Sequence, residues 1–324
     1  MGFIGSNFIR YELSNHDDVS IVNLDKLSYG SNSVNLKDVN FGRRYRFLKG
    51  DINDFELVKT VTDEVDAVVN FAAETHVDRS ITNPRLFHEA NTSGVINLLE
   101  ACRLRDLTFL QVSTDEVYGS ATEGQAFFEN DRLDASSPYS ASKGAADLFV
   151  NACHKTYGLR TLITRSTNNF GPYQFPEKFI PKTIIRASLG LHVPVYGSGR
   201  QVRDWIHVQD HCKALDLVLR KGKPGETYNI AAGRQVENLK VVESILSILG
   251  KPKSLIANVE DRPGHDFRYR LDASKIEREL GWKPERSFEE ELKDTVNWYL
   301  KNESWWRPLI NEKILSPTPW KEKW

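Results

Sequence analysis

The first half of the chain alternates short apolar, β-rich runs with longer amphipathic ones. Val19–Leu24, Arg44–Lys49, Ala67–Phe71, Thr108–Val112 and Thr161–Arg165 read as strands. Helical spacing of apolar positions covers Gly5–Leu13, Phe55–Thr62, Leu86–Leu104 and Ser140–Tyr157. Strands apolar on both faces, separated by helices, predict a parallel sheet covered on both sides. The fold class that follows is α/β, a doubly wound dinucleotide-binding (Rossmann) domain. After Gly171 the pattern breaks up, with Pro172, Pro176, Pro181, Pro194, Gly197 and Gly199 as punctuation. That region predicts a smaller mixed α/β substrate-binding lobe interleaved with the sheet domain. The expected division is residues 1–171 for the dinucleotide domain, with 204–237 returning to it, and 172–203 with 238–324 for the lobe.

With 324 residues the chain can bury a large core. Its formal net charge of −1 points to no nucleic-acid or membrane partner. No apolar run approaches the roughly 20 residues that span a bilayer, and no segment reads as a signal peptide. Cys102, Cys153 and Cys212 are scattered without metal-ligand spacing, which suggests a reducing compartment and makes the cytoplasm the expected location. No metal site is expected.

Two runs carry chemistry. Ser113-Thr114-Asp115-Glu116 follows an apolar strand and supplies a hydroxyl and two adjacent carboxylates. Tyr139-Ser140-Ala141-Ser142-Lys143 sets a Tyr and a Lys one helical turn apart, so the ammonium is expected to favour a phenolate and make Tyr139 a base for oxidising an alcohol. The extra carboxylate pair indicates a second acid/base step beyond hydride transfer. At the N-terminus, Gly2-Phe3-Ile4-Gly5 running into a helix matches the latter part of a glycine-rich phosphate loop. The apolar strand and further glycine that would open such a loop do not precede Met1, so the first strand of the fold is expected to be missing from this chain. Asp25, ending the run Val19–Leu24, is placed to accept from a ribose diol and favours NAD over NADP. Lys26 beside it weakens the repulsion of a 2′-phosphate.

These runs, together with Phe71-Ala72-Ala73-Glu74-Thr75-His76-Val77-Asp78-Arg79-Ser80, Asn168-Asn169-Phe170-Gly171-Pro172, Arg203-Asp204-Trp205 and Asp261-Arg262-Pro263-Gly264-His265-Asp266, carry a family resemblance over almost the whole chain. The sequence resembles the extended short-chain dehydrogenase/reductase family, of the NAD-dependent epimerase/dehydratase type, and within it the dTDP-glucose 4,6-dehydratases. The Thr-Asp-Glu run is the sharpest discriminator. The resemblance implies a lyase with NAD as a retained cofactor. Tyr139, aided by Lys143, would take the C4 hydroxyl proton as hydride leaves C4. Glu116 would remove the acidified C5 proton while protonated Asp115 expels the C6 hydroxyl as water, and hydride would then return to C6. Thr114 would bind the oxygen that becomes the ketone. The product would be dTDP-4-dehydro-6-deoxyglucose, a precursor of deoxysugars such as dTDP-rhamnose.

The resemblance further implies cofactor contacts at Gly2, Phe3, Ile4 and Gly5, at Asp25, Lys26, Leu27 and Ser28, at Asp51 and Ile52, at Phe71, Ala72, Ala73 and Thr75, and at Asn169, Tyr139 and Lys143. It implies substrate contacts at Thr75, Thr114, Asn168, Lys178 and Phe179, at Pro194 and Tyr196, and at Arg203, Asn238, Arg262 and His265. The aromatic stretch Trp298–Trp306 is expected to pack. The helices Leu86–Leu104 and Ser140–Tyr157 match those of a homodimer interface in similar enzymes. Two alternatives stay open: the equivalent dehydratase acting on UDP-glucose, and a non-catalytic NAD or sugar-nucleotide binding protein.

Overall fold

In a computed structural model that describes residues 1–39 and 42–324, eleven strands are distributed over four sheets. The strands are β1 (Ile21–Asp25), β2 (Tyr45–Lys49), β3 (Ala67–Asn70), β4 (Thr108–Thr114), β5 (Thr161–Ser166), β6 (Asn168–Phe170), β7 (Val193–Tyr196), β8 (Val202–His207), β9 (Thr227–Ile230), β10 (Gln235–Glu237) and β11 (Ile256–Val259). The main sheet has the order β3-β4-β5-β9 and is parallel throughout. β5 is buried along its whole length, and β4 after its first residue, as the apolar runs predict for the centre of a covered sheet. The parallel pair β1-β2 stands apart from it, and both of its strands are half-buried or exposed. The expectation of strands buried on both faces therefore fails for β1 and β2. Residues 18–25 and 65–71, along β1 and β3, lie on either side of one cavity of about 1010 Å³.

Helices α1 (Phe3–Asn15), α2 (Phe55–Thr62), α3 (Val77–Thr82), α4 (Pro84–His88), α5 (Gly94–Arg105) and α6 (Pro138–Tyr157) come from the first half of the chain. α6 starts where the Ser137 side chain accepts from Ser140 N and Ser140 Oγ accepts from Ser137 N, with Pro138 at its first position; it ends at Gly158 with φ of 69°. The single helix expected over Leu86–Leu104 is instead α4, a π turn at Glu89–Ser93, and α5. Periodicity alone does not register that extra residue per turn. α1 and α8 (Val208–Lys221) pack together on the core of Phe8, Leu110, Leu162, Ile206, Leu215 and Trp282.

The smaller lobe is built on the three-stranded sheet β10-β8-β6 and the parallel pair β11-β7. Helices α7 (Phe179–Ser188), α9 (Asn238–Ile248) and α11 (Phe288–Lys301) cover a second core of Phe170, Ile180, Ile184, Trp205, Ile245 and Tyr299. The helices between are α10 (Ser274–Leu280) and, after α11, α12 (Glu303–Trp306). Trp305 and Trp306 are buried in that core, so the aromatic stretch packs as expected. Within 204–237, α8 and β9 lie against or within the main sheet, whereas β8 and β10 pair with β6 in the lobe.

Candidate active site

Because β3, β4 and β5 are parallel and in register, Asn70 opposite Gln111 and Thr114 opposite Ser166, their carboxyl ends open on one edge, the place where doubly wound sheets bind ligands. Asn70 donates to Gln111 Oε1 at 2.9 Å and accepts from Ala72 N at 3.0 Å, turning the chain out of β3 toward Phe71-Ala72-Ala73. β4 ends at Thr114, whose hydroxyl accepts from Glu116 N at 3.3 Å and donates to Asp115 Oδ1 at 3.2 Å. The backbone then winds through a 3₁₀ turn, Asp115–Tyr118, and leaves at Gly119 with φ of 79°. A Cβ there would sit 2.4 Å from the Asp134 carbonyl, so only glycine fits.

That turn sets Asp115 and Glu116 beside Tyr139 at the start of α6. All three line the cavity together with Thr114 and Lys143. Burial lifts the Asp115 carboxyl well above the ordinary range, with the neighbouring Glu116 charge adding to it. Burial also raises Glu116, but Arg262 and Arg203 oppose that rise. The two adjacent acids thus sit in different fields, Asp115 disposed to hold a proton and Glu116 partly compensated by cations. Burial, then the Glu116 charge, pushes the Tyr139 phenol up, with Thr114 opposing. Lys143 lines the same cavity as Tyr139, but its hydrogen bond goes to β4. Lys143 Nζ donates to the Val112 carbonyl at 2.7 Å, and burial brings its ammonium down to about 8 against the pull of Asp147. The ammonium stays close to the site but is anchored on β4.

The same cavity gathers Gly2, Phe3, Ile4 and Gly5, Asp25, Lys26 and Ser28, Asp51 and Ile52, Phe71, Ala72, Ala73 and Thr75, Asn168, Asn169 and Lys178. Gly2 caps α1, and a Cβ on it would meet nothing within 4 Å, leaving the helix N-terminus open to an anion. Ser113 Oγ, Thr167 Oγ1 and Asn168 Oδ1 are buried around this space without a partner. Room, open helix terminus and unsatisfied polar atoms fit a dinucleotide. Asp25, by contrast, already uses both oxygens, one accepting from Leu27 N at 2.7 Å and the other from the Met1 ammonium at 2.6 Å. Leu27, with φ of 58°, packs on the cluster of Met1, Ile9, Leu13 and Leu36 rather than lining the cavity.

Several residues assigned to the substrate do not line this cavity. Arg203 lies buried over the Tyr269 ring at 4.2 Å and donates to the carbonyls of Val202, Asp266 and Phe267. Phe179 stacks on Trp205 at 5.9 Å, Pro194 pairs within β7, and Asn238 starts α9 with its Oδ1 buried and unpaired. His265 Nδ1 donates to Asp261 Oδ1 at 2.6 Å. Tyr196 and Arg262 both reach Asp78, at 3.0 and 2.7 Å. Of these, Arg262 and Arg203, with Lys178, lie near enough to lower the Glu116 carboxyl.

The residue reading passed over three positions. Asp78 holds Arg262 and Tyr196. Asn91, in the π turn, accepts from Glu74 N and donates to Glu74 O and Ser142 Oγ, fixing the loop before Thr75 against α6. Glu177, buried beside His76 at 3.4 Å, lies next to Lys178, whose Nζ donates to Thr75 O. A lone Asn within a helical pattern gives no such signal; a departure from 3.6-residue spacing around it would have been the only one. Among the described residues, Glu12, His16 and Asp216 also bring ligand-type atoms together, but Arg220 already bridges the two carboxylates.

The family profile described as GDP-mannose 4,6 dehydratase matches residues 1–295. The chain is 48% identical over 331 aligned positions to a dTDP-glucose 4,6-dehydratase of Xanthomonas campestris pv. campestris, covering 96% of this chain and 94% of that one. It is 51% identical to the low-salt glycan biosynthesis protein Agl12 of Haloferax volcanii, over 92% of this chain and 96% of the relative. Its fold superposes with a TM-score of 0.93 on the dTDP-glucose 4,6-dehydratase DesIV of Streptomyces venezuelae, solved with NAD bound, at 45% identity over 95% of this chain and 97% of that one. Adjacent carboxylates in unequal fields, a Tyr and Lys on the facing helix and a dinucleotide-shaped cavity are thus found in a chain that matches these enzymes along nearly its whole length: it belongs to the dTDP-glucose 4,6-dehydratase family of the extended short-chain dehydrogenases/reductases.

Proposed function

We propose that the protein is a hydro-lyase that converts dTDP-glucose to dTDP-4-dehydro-6-deoxyglucose and water with NAD as its cofactor. The observation that carries this is the pair Asp115 and Glu116, adjacent in the turn after β4, Asp115 buried and Glu116 half-buried, both lining one cavity with Thr114, Tyr139 and Lys143. Oxidation and re-reduction alone need only the latter three; elimination of water needs an acid and a base as well. NAD, when bound, supplies the redox step by accepting hydride from C4 and returning it to C6.

The chain's own groups do the rest. Thr114 and Tyr139 hold the C4 oxygen, and Tyr139 takes its proton. Lys143, held on the Val112 carbonyl, provides the nearby positive charge that offsets the phenolate. Glu116 removes the C5 proton, and Asp115, the more strongly raised carboxyl, delivers a proton to the departing C6 hydroxyl. Gly2–Gly5 at the start of α1 would take the cofactor pyrophosphate, Asp25 and Ser28 a ribose, Asp51 and Ile52 the adenine. Lys178, Arg203 and Arg262 would set the field that receives the substrate diphosphate.

Purified protein incubated with dTDP-glucose or UDP-glucose, with product mass followed, tests this reading. Loss of one water from the dTDP sugar and little from the UDP sugar is the expected result. Preferential turnover of the UDP sugar would shift the substrate to UDP-glucose, and silence with NAD present would leave a sugar-nucleotide binding protein.

A homodimer is part of the same proposal. Ile96 and Leu104 on α5 and Leu148, Phe149 and Tyr157 on α6 are all exposed, and these helices pack side by side. These five exposed apolar side chains on two adjacent helices support a second copy as their cover. The three thiols are free, which suits action in the cytoplasm, and no helix among the described residues is long and apolar enough to cross a membrane.

A further inference from the structure

Residues 317–324 cross from the lobe to the dinucleotide domain and place two tryptophans at the two ends of that crossing. Trp320, in the 3₁₀ turn Pro319–Lys321, is buried and stands edge-on to Tyr196 at 4.7 Å. Tyr196 in turn donates to Asp78. Lys182 Nζ donates to the Ser316 carbonyl at 3.2 Å, and Lys321 pairs with Glu260, so the start of the crossing is fastened to the lobe. At its far end, Trp324 donates from Nε1 to the Pro319 carbonyl at 2.9 Å and turns its ring edges to Tyr29 at 5.6 Å and His76 at 5.9 Å. The Arg79 guanidinium lies 5.2 Å from the Trp324 ring and 3.8 Å from the Tyr29 ring, so one cation is shared between two aromatic faces.

What Trp324 presses on is the outer shell of the cavity. Tyr29 lines it directly, one residue after Ser28. Arg79 bonds Glu74 at 2.9 Å, and Glu74 precedes Thr75. His76 faces Glu177 at 3.4 Å, and the adjacent Lys178 donates to Thr75 O at 2.7 Å. Glu74, Thr75, Glu177 and Lys178 all line the cavity; Trp324 itself does not. We propose that Trp324 is a positioning residue: through Tyr29 and Arg79 it holds the loop after β1 and the segment 74–79 against the lobe, and so sets how tightly the site retains cofactor and substrate.

This rests on the dehydratase reading for the substrate but not for the cofactor, and the test separates the two. Trp324→Ala is compared with Trp324→Phe, which keeps a flat ring for Arg79 and Tyr29. Release of the reduced cofactor, loaded as NADH, is followed by its own fluorescence, and kcat and KM for dTDP-glucose are measured in parallel with thermal melting. The expected result is cofactor release and a KM each increased about tenfold in the alanine variant, kcat within about twofold, and recovery in the phenylalanine variant. Should Trp324→Ala fail to fold, Trp324→Leu, which keeps bulk and drops the π face, carries the same expectation. Cofactor release and KM both unchanged in a folded variant would overturn the proposal, as would a lowered melting temperature as the sole effect. Faster cofactor release without turnover of dTDP-glucose by the parent protein would keep the positioning role and remove the substrate assignment instead.

Discussion

The Arg262 guanidinium donates to the Asp78 carboxylate at 2.7 Å, with Arg262 on the loop after β11 and Asp78 in the first turn of α3. Both groups are largely buried, and Asp78 also accepts from Tyr196. This contact ties the lobe to the dinucleotide domain beside the site. Removing one partner leaves the other charge buried and unpaired, so Asp78→Ala is expected to cost about 3–5 kcal/mol of stability. Removing both relieves that penalty. A cycle of Asp78→Ala, Arg262→Ala and the double variant, read by urea unfolding, should give a double variant less damaged than the sum of the singles. Simple additivity would mean the pair contributes nothing to joining the two parts.

Asp115 makes a prediction in the opposite direction. Its folded pKa lies well above the ordinary carboxylate value, mainly through burial, and its Oδ2 has no hydrogen-bond partner. The folded state therefore keeps a proton the unfolded chain gives up. The contribution is fully present below the unfolded pKa and is lost as pH rises through the raised folded value. Asp115→Asn removes that loss, so at pH 8 the variant should melt higher than the parent, by roughly 1–3 kcal/mol in stability. The gain should vanish by about pH 4, near the unfolded carboxylate pKa. Turnover of dTDP-glucose should fall at least about 100-fold, the low end of what a positioned acid supplies. An asparagine variant that melts lower at pH 8 would show that the carboxyl is stabilised by contacts rather than strained by burial.

The strands and the two chemical runs were legible because they are local. Apolar runs ending in Ser113-Thr114, and a Tyr and Lys one turn apart, fix a strand end and a helix face without knowledge of the rest of the chain. Pairings that depend on distant segments were not legible. Arg203, expected to contact the substrate, directs its donors to the carbonyls of residues 202, 266 and 267, the latter two more than 60 positions away. That Lys143 donates to the Val112 carbonyl of β4 could not be seen from the local spacing of Tyr139 and Lys143. The π turn that aims Asn91 at Glu74 shifts the spacing by one residue, which a period of 3.6 absorbs as noise.

The exposed face of α5 and α6 predicts the assembly. Leu148 is 62% exposed and Phe149 44%, on a helix whose opposite side carries Tyr139 and Lys143 into the core. Replacing Leu148 and Phe149 together by Glu should leave the monomer fold within about 0.5 kcal/mol, as for surface positions generally. Sedimentation should then report a monomer where the parent reports a dimer. A parent that is monomeric at every concentration would remove the homodimer from the proposal, and a variant that stays dimeric would move the interface elsewhere.

The last prediction concerns the space between β1 and β3. Both strands run in the same direction relative to their parallel partners, both leave one edge unpaired, and both line the cavity together with Phe8 and Ile9 of α1. Unpaired edges facing an apolar gap accept an extended segment readily. A fused strand of about five apolar residues, ending in Thr-Gly-Gly ahead of Met1, should seat there and pair on both sides. It would replace the Met1 ammonium, 2.6 Å from Asp25, by a neutral amide, which weakens that contact and leaves the Asp25 oxygen more available to a ribose hydroxyl. The fused protein should unfold at higher urea and bind NAD more tightly than the chain beginning at Met1, and a control fusion with alternating Asp in the strand should do neither. If both fusions behave like the parent, the gap closes in solution and β1 pairs directly with β3. If the apolar fusion raises stability but leaves NAD affinity unchanged, the strand fills the gap while Asp25 takes no part in cofactor binding.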